Sequence, residues 1–384
     1  MRARRLGVTW MAVMVTALRV AGAQGSERPA WALTGTLYNL YSDSRTVIPP
    51  AQEFNVDLTR VRLKLAGQPM AHLGLDVQYD NELLLGNYLS TAQYALLSRR
   101  PAVTSFDLSH EYVARGNIVA RHQLYRATLA WSGDVTDVRV GRQRVALGTG
   151  QFWSPLDLLN PLDPTRLERD YRTGVDAVVV ERKLGAVSRV QGMFAPGTMR
   201  VRATAGAYLH GNVRGADFSV LAGRFRGDDA IGVDFSSARG GLGLRGEATV
   251  TRPSVGARYA RALVGADYGF ANTLNLTAEL YVNGQGASDR ARYDYAALTS
   301  GRTLNLGRHY GAVAASYQVT PLVKTALYGV ANVGDRSGVL WPRIEYSASS
   351  NLDLVLGLQR FHGSETSEYG RLSNLLHGEL RWFF

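Results

Sequence analysis

The residues that could do chemistry in this chain are charged side chains two positions apart, and the familiar catalytic motifs are incomplete. Gly241-x-Gly243-x-x-Gly246 fits a dinucleotide fingerprint, but it lies inside an alternating segment with no helix after it. His110-Glu111 opens like a zinc-peptidase motif, but Ala114 stands where the second histidine is required. The seven histidines lack ligand spacing, and there is neither a P-loop nor a Gly-x-Ser-x-Gly elbow. The sequence therefore predicts a protein that is not an enzyme and that uses no metal and no cofactor.

One short segment gathers positive charge. Arg60, Arg62 and Lys64 alternate with Val61 and Leu63, and no acid is interleaved among them. In a strand, alternate residues share a face, so the three cations would point the same way. Guanidinium groups attract and orient anions by charge and by forked hydrogen bonds. This segment is the best local candidate for a functional site.

The elements that must position these residues are strands, because apolar residues recur with period two from Trp31 to the end. In the clearest case Leu274, Leu276, Ala278, Leu280 and Val282 alternate with polar side chains. Eighteen such segments can be counted, most of about ten residues, which is the length that crosses a bilayer at a tilt of about 45°. They start near residues 31, 55, 70, 121, 134, 174, 187, 200, 216, 230, 242, 256, 273, 307, 322, 338, 352 and 373.

The connections alternate between short and long. The long ones, residues 80–120, 148–173, 284–306 and 363–371, all follow odd-numbered segments, and the turns between them are short. This parity is typical of membrane barrels with short periplasmic turns and long extracellular loops. It predicts an all-β, closed antiparallel transmembrane β-barrel of about 18 strands, with 16 as the alternative, and both termini in the periplasm.

The start of the chain is typical of an export signal. Residues 1–23 combine Arg2, Arg4 and Arg5, an apolar stretch too short to cross a membrane, and Ala21-Gly22-Ala23. We expect residues 24–384 to form a single barrel domain. Its formal charge would fall from +11 to +7 when Arg19 and the three basic residues at the start are removed. Nucleic acid is not an expected partner of such an exported chain, whereas anionic solutes and lipid are.

The last residues alternate as Leu376-x-Gly378-x-Leu380-x-Trp382-x-Phe384. With the export signal and the period-two strands, this ending resembles the bacterial outer-membrane β-barrel family. The resemblance implies a place in the outer membrane of a Gram-negative-type bacterium, contact with outer-membrane lipid, and recognition of Phe384 by the barrel-assembly machinery.

If the aliphatic parity faces lipid, a set of charges faces the lumen. This set has a basic excess, and two interpretations of it are open: selection of anions, or cross-strand pairing that only holds the wall together. The predicted pore-lining residues are Arg60, Arg62, Lys64, Arg126, Arg139, Arg202, Arg245, Glu247, Glu279 and Arg343.

The connection 148–173 carries a further candidate site. The stretch from Gly141 to Pro161 resembles one found in porin-like barrels related to the phosphate-selective and alginate-export channels, which implies a pore for anions or polysaccharide. Asp163-Pro164 has the residue types of a helix start. The loop could fold inward as a constriction or cover the mouth from outside. The predicted constriction residues are Trp153, Asp157, Asp163, Arg166 and Arg169.

The function predicted from these patterns is a porin-like channel for passive diffusion of small solutes, anions among them. Two alternatives stay open at this point. One is a non-conducting barrel for export or assembly of surface polysaccharide, and the other is an outer-membrane lipase or protease with a site assembled across strands.

Overall fold

A computed structural model describes residues 31–98, 104–169, 171–172, 174–198 and 202–384. The predicted export signal lies outside the described residues. The described chain contains nineteen strands and two short α-helices, with no helix long and apolar enough to cross a membrane. The strands are β1 (Trp31–Arg45), β2 (Glu53–Met70), β3 (Leu73–Leu85), β4 (Ser109–Arg115), β5 (Ile118–Ser132), β6 (Thr136–Gln143), β7 (Val175–Lys183), β8 (Arg189–Ala195), β9 (Thr204–Val213), β10 (Ala216–Phe225), β11 (Asp228–Arg239), β12 (Leu242–Arg252), β13 (Tyr259–Gly269), β14 (Asn275–Asn283), β15 (His309–Thr320), β16 (Val323–Asn332), β17 (Ser337–Ser349), β18 (Leu352–His362) and β19 (Leu375–Phe383).

Eighteen of these strands form one closed antiparallel wall, as predicted. Each pairs with its neighbour in sequence, β3 pairs directly with β5, and β1 closes the ring by pairing with both β2 and β19. Phe384 completes the seam, since its N–H and C=O bond to the C=O and N–H of Gly35. The short strand β4 adds to the loop-end half of β5, whose other half pairs with β6. Closure matters because lipid offers no hydrogen-bond partner to an open sheet edge.

The two ends of the wall differ, and the predicted parity is confirmed. At one end the strands are joined by turns of two to five residues, at 71–72, 133–135, 184–188, 214–215, 240–241, 270–274, 321–322 and 350–351. The described chain also begins and finishes at this end, with Trp31 and Phe384. The long connections, including 86–117, 144–174, 284–308 and 363–374, lie at the other end, which we call the loop end.

One predicted loop is longer than the connection in the structure. The connection expected at 80–120 is shorter, because β3 continues to Leu85 and β5 already begins at Ile118. Asp80 and Glu82 fall within the predicted loop. In the structure both point inward and bind Arg62 and Arg60 of β2, so they are wall residues. The remaining connection contains helix α1 (Ala92–Leu97) and β4.

The outer face of the wall is apolar. Leu276, Leu280 and Val282 are all well exposed, so the predicted stripe is not covered by protein. Exposed aromatic side chains gather near the short-turn end, where a barrel meets the membrane interface. They include Trp31, Trp131, Tyr268, Phe270, Tyr317, Tyr346 and Trp382. An apolar belt with an aromatic girdle is the surface expected of a barrel in a bilayer.

Two loops are tied together at the mouth by Glu368. Its carboxylate, which is buried, accepts hydrogen bonds from the Leu306 N–H (2.8 Å), the Tyr310 hydroxyl (2.6 Å) and the Asn332 amide (2.7 Å). Burial raises the pKa of Glu368. These contacts join the connection 284–308, which contains helix α2 (Tyr295–Thr299), to the connection 363–374.

The interior is filled by a loop as well as by wall side chains. A wall of eighteen strands encloses more space than its own inward side chains can fill. The connection between β6 and β7 enters this space, and its Leu156 and Leu159 pack with the inward-facing Val179, Leu221 and Phe225. We call residues 144–174 the inner loop; residues 170 and 173 within it are not described.

Candidate functional site

The inner loop crosses the lumen and contacts the wall on several sides. The Gln359 amide of β18 donates to the Thr165 carbonyl at 2.7 Å. On β5, the Tyr125 hydroxyl donates to the Arg172 carbonyl at 2.8 Å and accepts from the Arg172 N–H. Of the two arrangements open from the sequence, the structure has the inward one.

Glu247 on β12 anchors the start of the loop. Its carboxylate accepts hydrogen bonds from the backbone N–H groups of Thr149, Gly150 and Leu156 and from the Ser154 hydroxyl (2.9 Å). Gly148 makes room for this contact, since its φ is +81° and a Cβ there would lie about 2.6 Å from a carboxylate oxygen. Hydrogen bonds to an ionised group are the stronger kind, so one buried carboxylate orders several residues of loop.

Glu279 on β14 anchors the next residues in the same way. It accepts from the N–H of Gln151 at 2.7 Å and of Phe152 at 2.8 Å, while Arg245 pairs with it at 3.2 Å and also with Asp267. Arg245, Glu247 and Glu279 therefore point inward as predicted. All three residues are buried, and Glu247 and Glu279 hold the loop, so their role in lining a pore stays a prediction.

Trp153 is a packing residue. Its ring is buried and stacks on Tyr281 with centroids 5.2 Å apart, within a cluster that includes Phe152 and Tyr310. Asp157 is also buried, where it accepts from the Asn160 N–H at 2.8 Å and lies 3.5 Å from Arg172.

The far end of the loop is held by an arginine and two aromatic rings. Arg60 of β2 binds Glu82 of β3 at 2.6 Å and Glu168 of the loop at 2.5 Å, and it is buried. The Tyr171 ring lies 3.9 Å from the Arg60 guanidinium carbon and stacks on Tyr125 at 4.8 Å. Arg60 is thus a loop anchor, which differs from the expected role of a selectivity residue.

No helix begins at Asp163-Pro164, contrary to the sequence expectation. Asp163 accepts from the N–H and the hydroxyl of Thr165, at 3.0 and 2.8 Å, so it closes a local turn. The Thr165 carbonyl accepts from the Gln359 amide of β18. Arg166 is exposed, and Arg169 donates to the Gln151 carbonyl at 2.8 Å.

Two cavities lie on either side of the inner loop. One, of about 620 Å³ at the loop end, is lined by four arginines and two aspartates together with Trp153 and other residues. These charged residues are Arg202, Arg226, Arg261, Arg302, Asp157 and Asp228. The other, of about 330 Å³ on the short-turn side, is lined by five arginines and one glutamate among its charged residues: Arg60, Arg62, Arg169, Arg343, Arg381 and Glu168.

The remaining predicted lumen residues fall in three places. Arg126 donates to the Arg172 carbonyl, and Arg139 faces inward opposite the fully buried Val179. Lys64 pairs with Asp76 at 3.1 Å. Arg202 was expected on a strand, but β9 starts only at Thr204, so Arg202 belongs to the preceding connection and lines the cavity at the mouth.

Sequence reasoning missed several residues of this site. Asp80 and Glu82 could have been found by asking which acids lie opposite Arg62 and Arg60 in a β2–β3 hairpin. Glu168 and Tyr171 carry no such signal, because their partners lie across the lumen, far away in sequence.

The comparisons with known proteins agree with this geometry. No protein-family model and no curated protein sequence matches the chain. Three similar solved structures are OccD3 (OpdP), OccK11 (OpdR) and OccK8 (OprE) from Pseudomonas aeruginosa. Their TM-scores are 0.57, 0.57 and 0.54 at 12%, 10% and 10% identity, and the matches cover 92% of this chain and 91%, 96% and 98% of theirs.

At these identities the likeness concerns the fold, and the fold is that of a porin-like β-barrel of the outer membrane. The apolar belt and the closed wall place the protein in the outer membrane of a Gram-negative-type bacterium. The local resemblance to phosphate-selective and alginate-export channels stays a prediction.

The anchoring role of Glu247 is testable. We expect Glu247→Gln to loosen residues 148–156, because one amide oxygen cannot accept all the bonds that a carboxylate accepts, at a cost of about 1–3 kcal/mol. Hydrogen exchange of the loop amides, read by mass spectrometry on the protein in detergent, should become faster by roughly tenfold. Glu345→Gln is the matched control, since Glu345 lies on β17, five strands from β12, and contacts Arg343 at 3.4 Å. Equal exchange in both variants would refute the anchor.

The inner loop should also respond to pH through Asp157. Burial raises the pKa of Asp157 from 3.8 to about 7, against the lowering effects of the Asn160 N–H and of Arg172. The pKa of Asp157 is higher in the folded protein than in the unfolded chain, so the protonated form stabilises the fold. This stabilisation is complete below about pH 4 and is lost as the pH rises through about 7.

We therefore expect loop amides to exchange faster at about pH 8 than at about pH 5.5, after correction for intrinsic rates. Asp157→Asn, which is neutral at both values, should remove the difference. A pH effect of the same size in that variant would show that another group is responsible.

Proposed function

We propose that the protein is a passive channel of the outer membrane that prefers small anionic solutes, with the inner loop as its constriction. The fold supports the channel in general terms, because a wide closed wall around a polar interior is the architecture of porins. The preference for anions is supported by how the inward ion pairs are arranged.

In three of these ion pairs the carboxylate is covered and the cation is left at the surface, whereas in Arg245–Asp267 and Arg343–Glu345 the carboxylate is the more exposed partner. Asp80, Glu82 and Glu379 have no exposed side-chain area, whereas their partners Arg62, Arg121 and Arg381 keep 23%, 41% and 28% exposed. At these three pairs a passing solute would therefore meet guanidinium groups. This asymmetry is the observation that carries the proposal, because exposed charge acts on an ion far more than covered charge does.

The cavities beside the inner loop support the same preference. Five arginines and one glutamate line the cavity on the short-turn side, and four arginines and two aspartates line the cavity at the mouth. An anion entering from either side would be attracted toward the loop. The loop narrows the lumen between these spaces, because it contacts β5, β12, β14 and β18 at once.

A catalytic role has less support. His377, one of two inward histidines that lie beside a carboxylate among the described residues, is fully buried in the wall; the other, His210, is partly exposed and lies 3.7 Å from Asp217. The Nε2 of His377 accepts from the Trp341 indole N–H at 2.9 Å, and its Nδ1 lies 3.4 Å from Glu379. Both ring nitrogens face wall side chains, so the imidazole is not presented to a solute.

The proposal is tested by the reversal potential across planar bilayers under a salt gradient. Each exposed cation about 7 Å from a passing ion contributes about 0.6 kcal/mol before screening, and screening roughly halves this value. We expect Arg62→Gln and Arg381→Gln each to lower the anion-to-cation permeability ratio roughly threefold, which moves the reversal potential toward cation preference. Arg60 is left unchanged because it anchors the loop.

Arg224→Gln is the control for this experiment. Arg224 pairs with Asp229 at 2.7 Å on the outer face near the loop end, so its loss removes one positive charge outside the lumen. If the lumen variants shift the reversal potential no more than this control does, the preference for anions is refuted. A refolded protein that shows no conductance steps would refute the channel itself.

A further inference from the structure

A groove of about 920 Å³ lies on the lipid-facing side of the wall, across β13 to β18. Its floor is formed by residues with little or no side chain, among them Gly311, Gly329 and Ala331. Its ridges are branched apolar side chains, Leu280, Val313 and Leu340, all well exposed. The groove opens on the lipid side, because these six residues belong to the outward parity of their strands; buried neighbours of inward parity, such as Glu279 and Val330, lie beneath it.

The strand register makes the floor continuous. Leu280 lies opposite Gly311, Gly311 opposite Ala331, and Ala331 opposite Gly338, which in turn lies opposite His362. The row begins at Leu280, three residues before the loop end of β14, and ends at His362, the last residue of β18, at the loop end. The groove therefore climbs from the apolar belt to the rim of the barrel.

The rim end of the groove is cationic. Arg360 and His362 line it, both exposed on the outer face, and His362 lies directly over Gly338, where a Cβ would come within 2.7 Å of the ring. Within the described residues Arg360 makes no ion pair or side-chain hydrogen bond, whereas Arg224, also on the outer face, is paired with Asp229. A guanidinium group beside an apolar surface at the membrane rim is stabilised when it pairs with an anion.

We propose that this groove binds an outer-leaflet lipid with a phosphorylated glucosamine headgroup, of the lipid A class. One acyl chain lies along Gly311, Gly329 and Ala331, and a phosphate is held by Arg360 and His362. The loop end faces the outside of the cell, where the anionic lipid of such a membrane is a phosphorylated glycolipid. The apolar part of the groove lies toward the membrane core, where the acyl chain of that lipid lies. Its positive end lies at the rim, where the phosphate lies.

Native mass spectrometry of the full-length mature protein, refolded in detergent with diphosphorylated lipid A, tests the proposal. We expect one lipid retained per barrel, and retention roughly tenfold lower for the double variant Arg360→Gln with His362→Gln, because charge-assisted bonds are lost. Ala331→Leu should lower lipid retention as well, since the larger side chain would fill the apolar part of the groove. Arg224→Gln is the control and should bind lipid as the unmodified protein does.

Three outcomes would overturn the proposal: equal retention in all variants, equal retention of dephosphorylated lipid A, or a protein dimer that covers the groove in place of lipid. Folding of each variant is checked by the mobility shift of the unheated barrel on a gel. If Ala331→Leu does not fold, the double variant decides alone. Conductance of the folded variants should be unchanged, because the groove lies outside the lumen, so failure here leaves the channel proposal standing.

Discussion

The interior depends on how two buried carboxylates are satisfied. Glu247 and Glu279 stand inside the wall, where an unpartnered negative charge would be very costly, and backbone N–H groups of residues 149–156 supply most of their hydrogen bonds. The same hydrogen bonds also stabilise the loop. Without them its backbone N–H groups would be buried away from water and would have no hydrogen-bond acceptor. This mutual satisfaction explains why a long connection enters the lumen.

The consequence of this arrangement reaches across the barrel. Once residues 149–156 are fixed, the rest of the loop extends to the opposite wall, where Arg60 binds Glu168 and stacks on Tyr171. Charges on the wall thereby divide into two groups. Arg60, Glu247 and Glu279 bind the loop and are buried, whereas Arg62 and Arg381 line the cavity beside it and are charges that a solute would meet.

Much of the fold could be predicted from the sequence because a membrane imposes simple rules on a wall. Period-two alternation gave eighteen strands, and the alternating lengths of the connections gave their orientation. The inward parity of Arg245, Glu247 and Glu279 was also predictable. The partner of each inward charge was not, because whether a carboxylate faces water or a loop depends on contacts between residues far apart in the chain, such as Glu247 with Gly150.

The remaining errors have local causes. The predicted loop 80–120 includes Asp80 and Glu82, because the cations opposite them, Arg62 and Arg60, are identified only by the register of β2 with β3. Asp163-Pro164 has the residue types of a helix start, and the sequence cannot show that the Gln359 amide donates to the Thr165 carbonyl. Arg202 was placed on a strand that begins two residues later. Each error concerns a contact made by the end of an element, where sequence patterns hold the least information.

The central claim, that the inner loop crosses the lumen to the far wall, can be measured directly because the chain contains no cysteine. The double variant Thr165→Cys with Gln359→Cys places one thiol on the loop and one on β18, where the native residues are in contact. In intact outer membranes a short bifunctional thiol reagent should cross-link the pair nearly completely, seen as a shift in gel mobility before and after cleavage of the linker. Absence of the cross-link, together with free labelling of the loop thiol by a large impermeant reagent from outside the cell, would contradict the account.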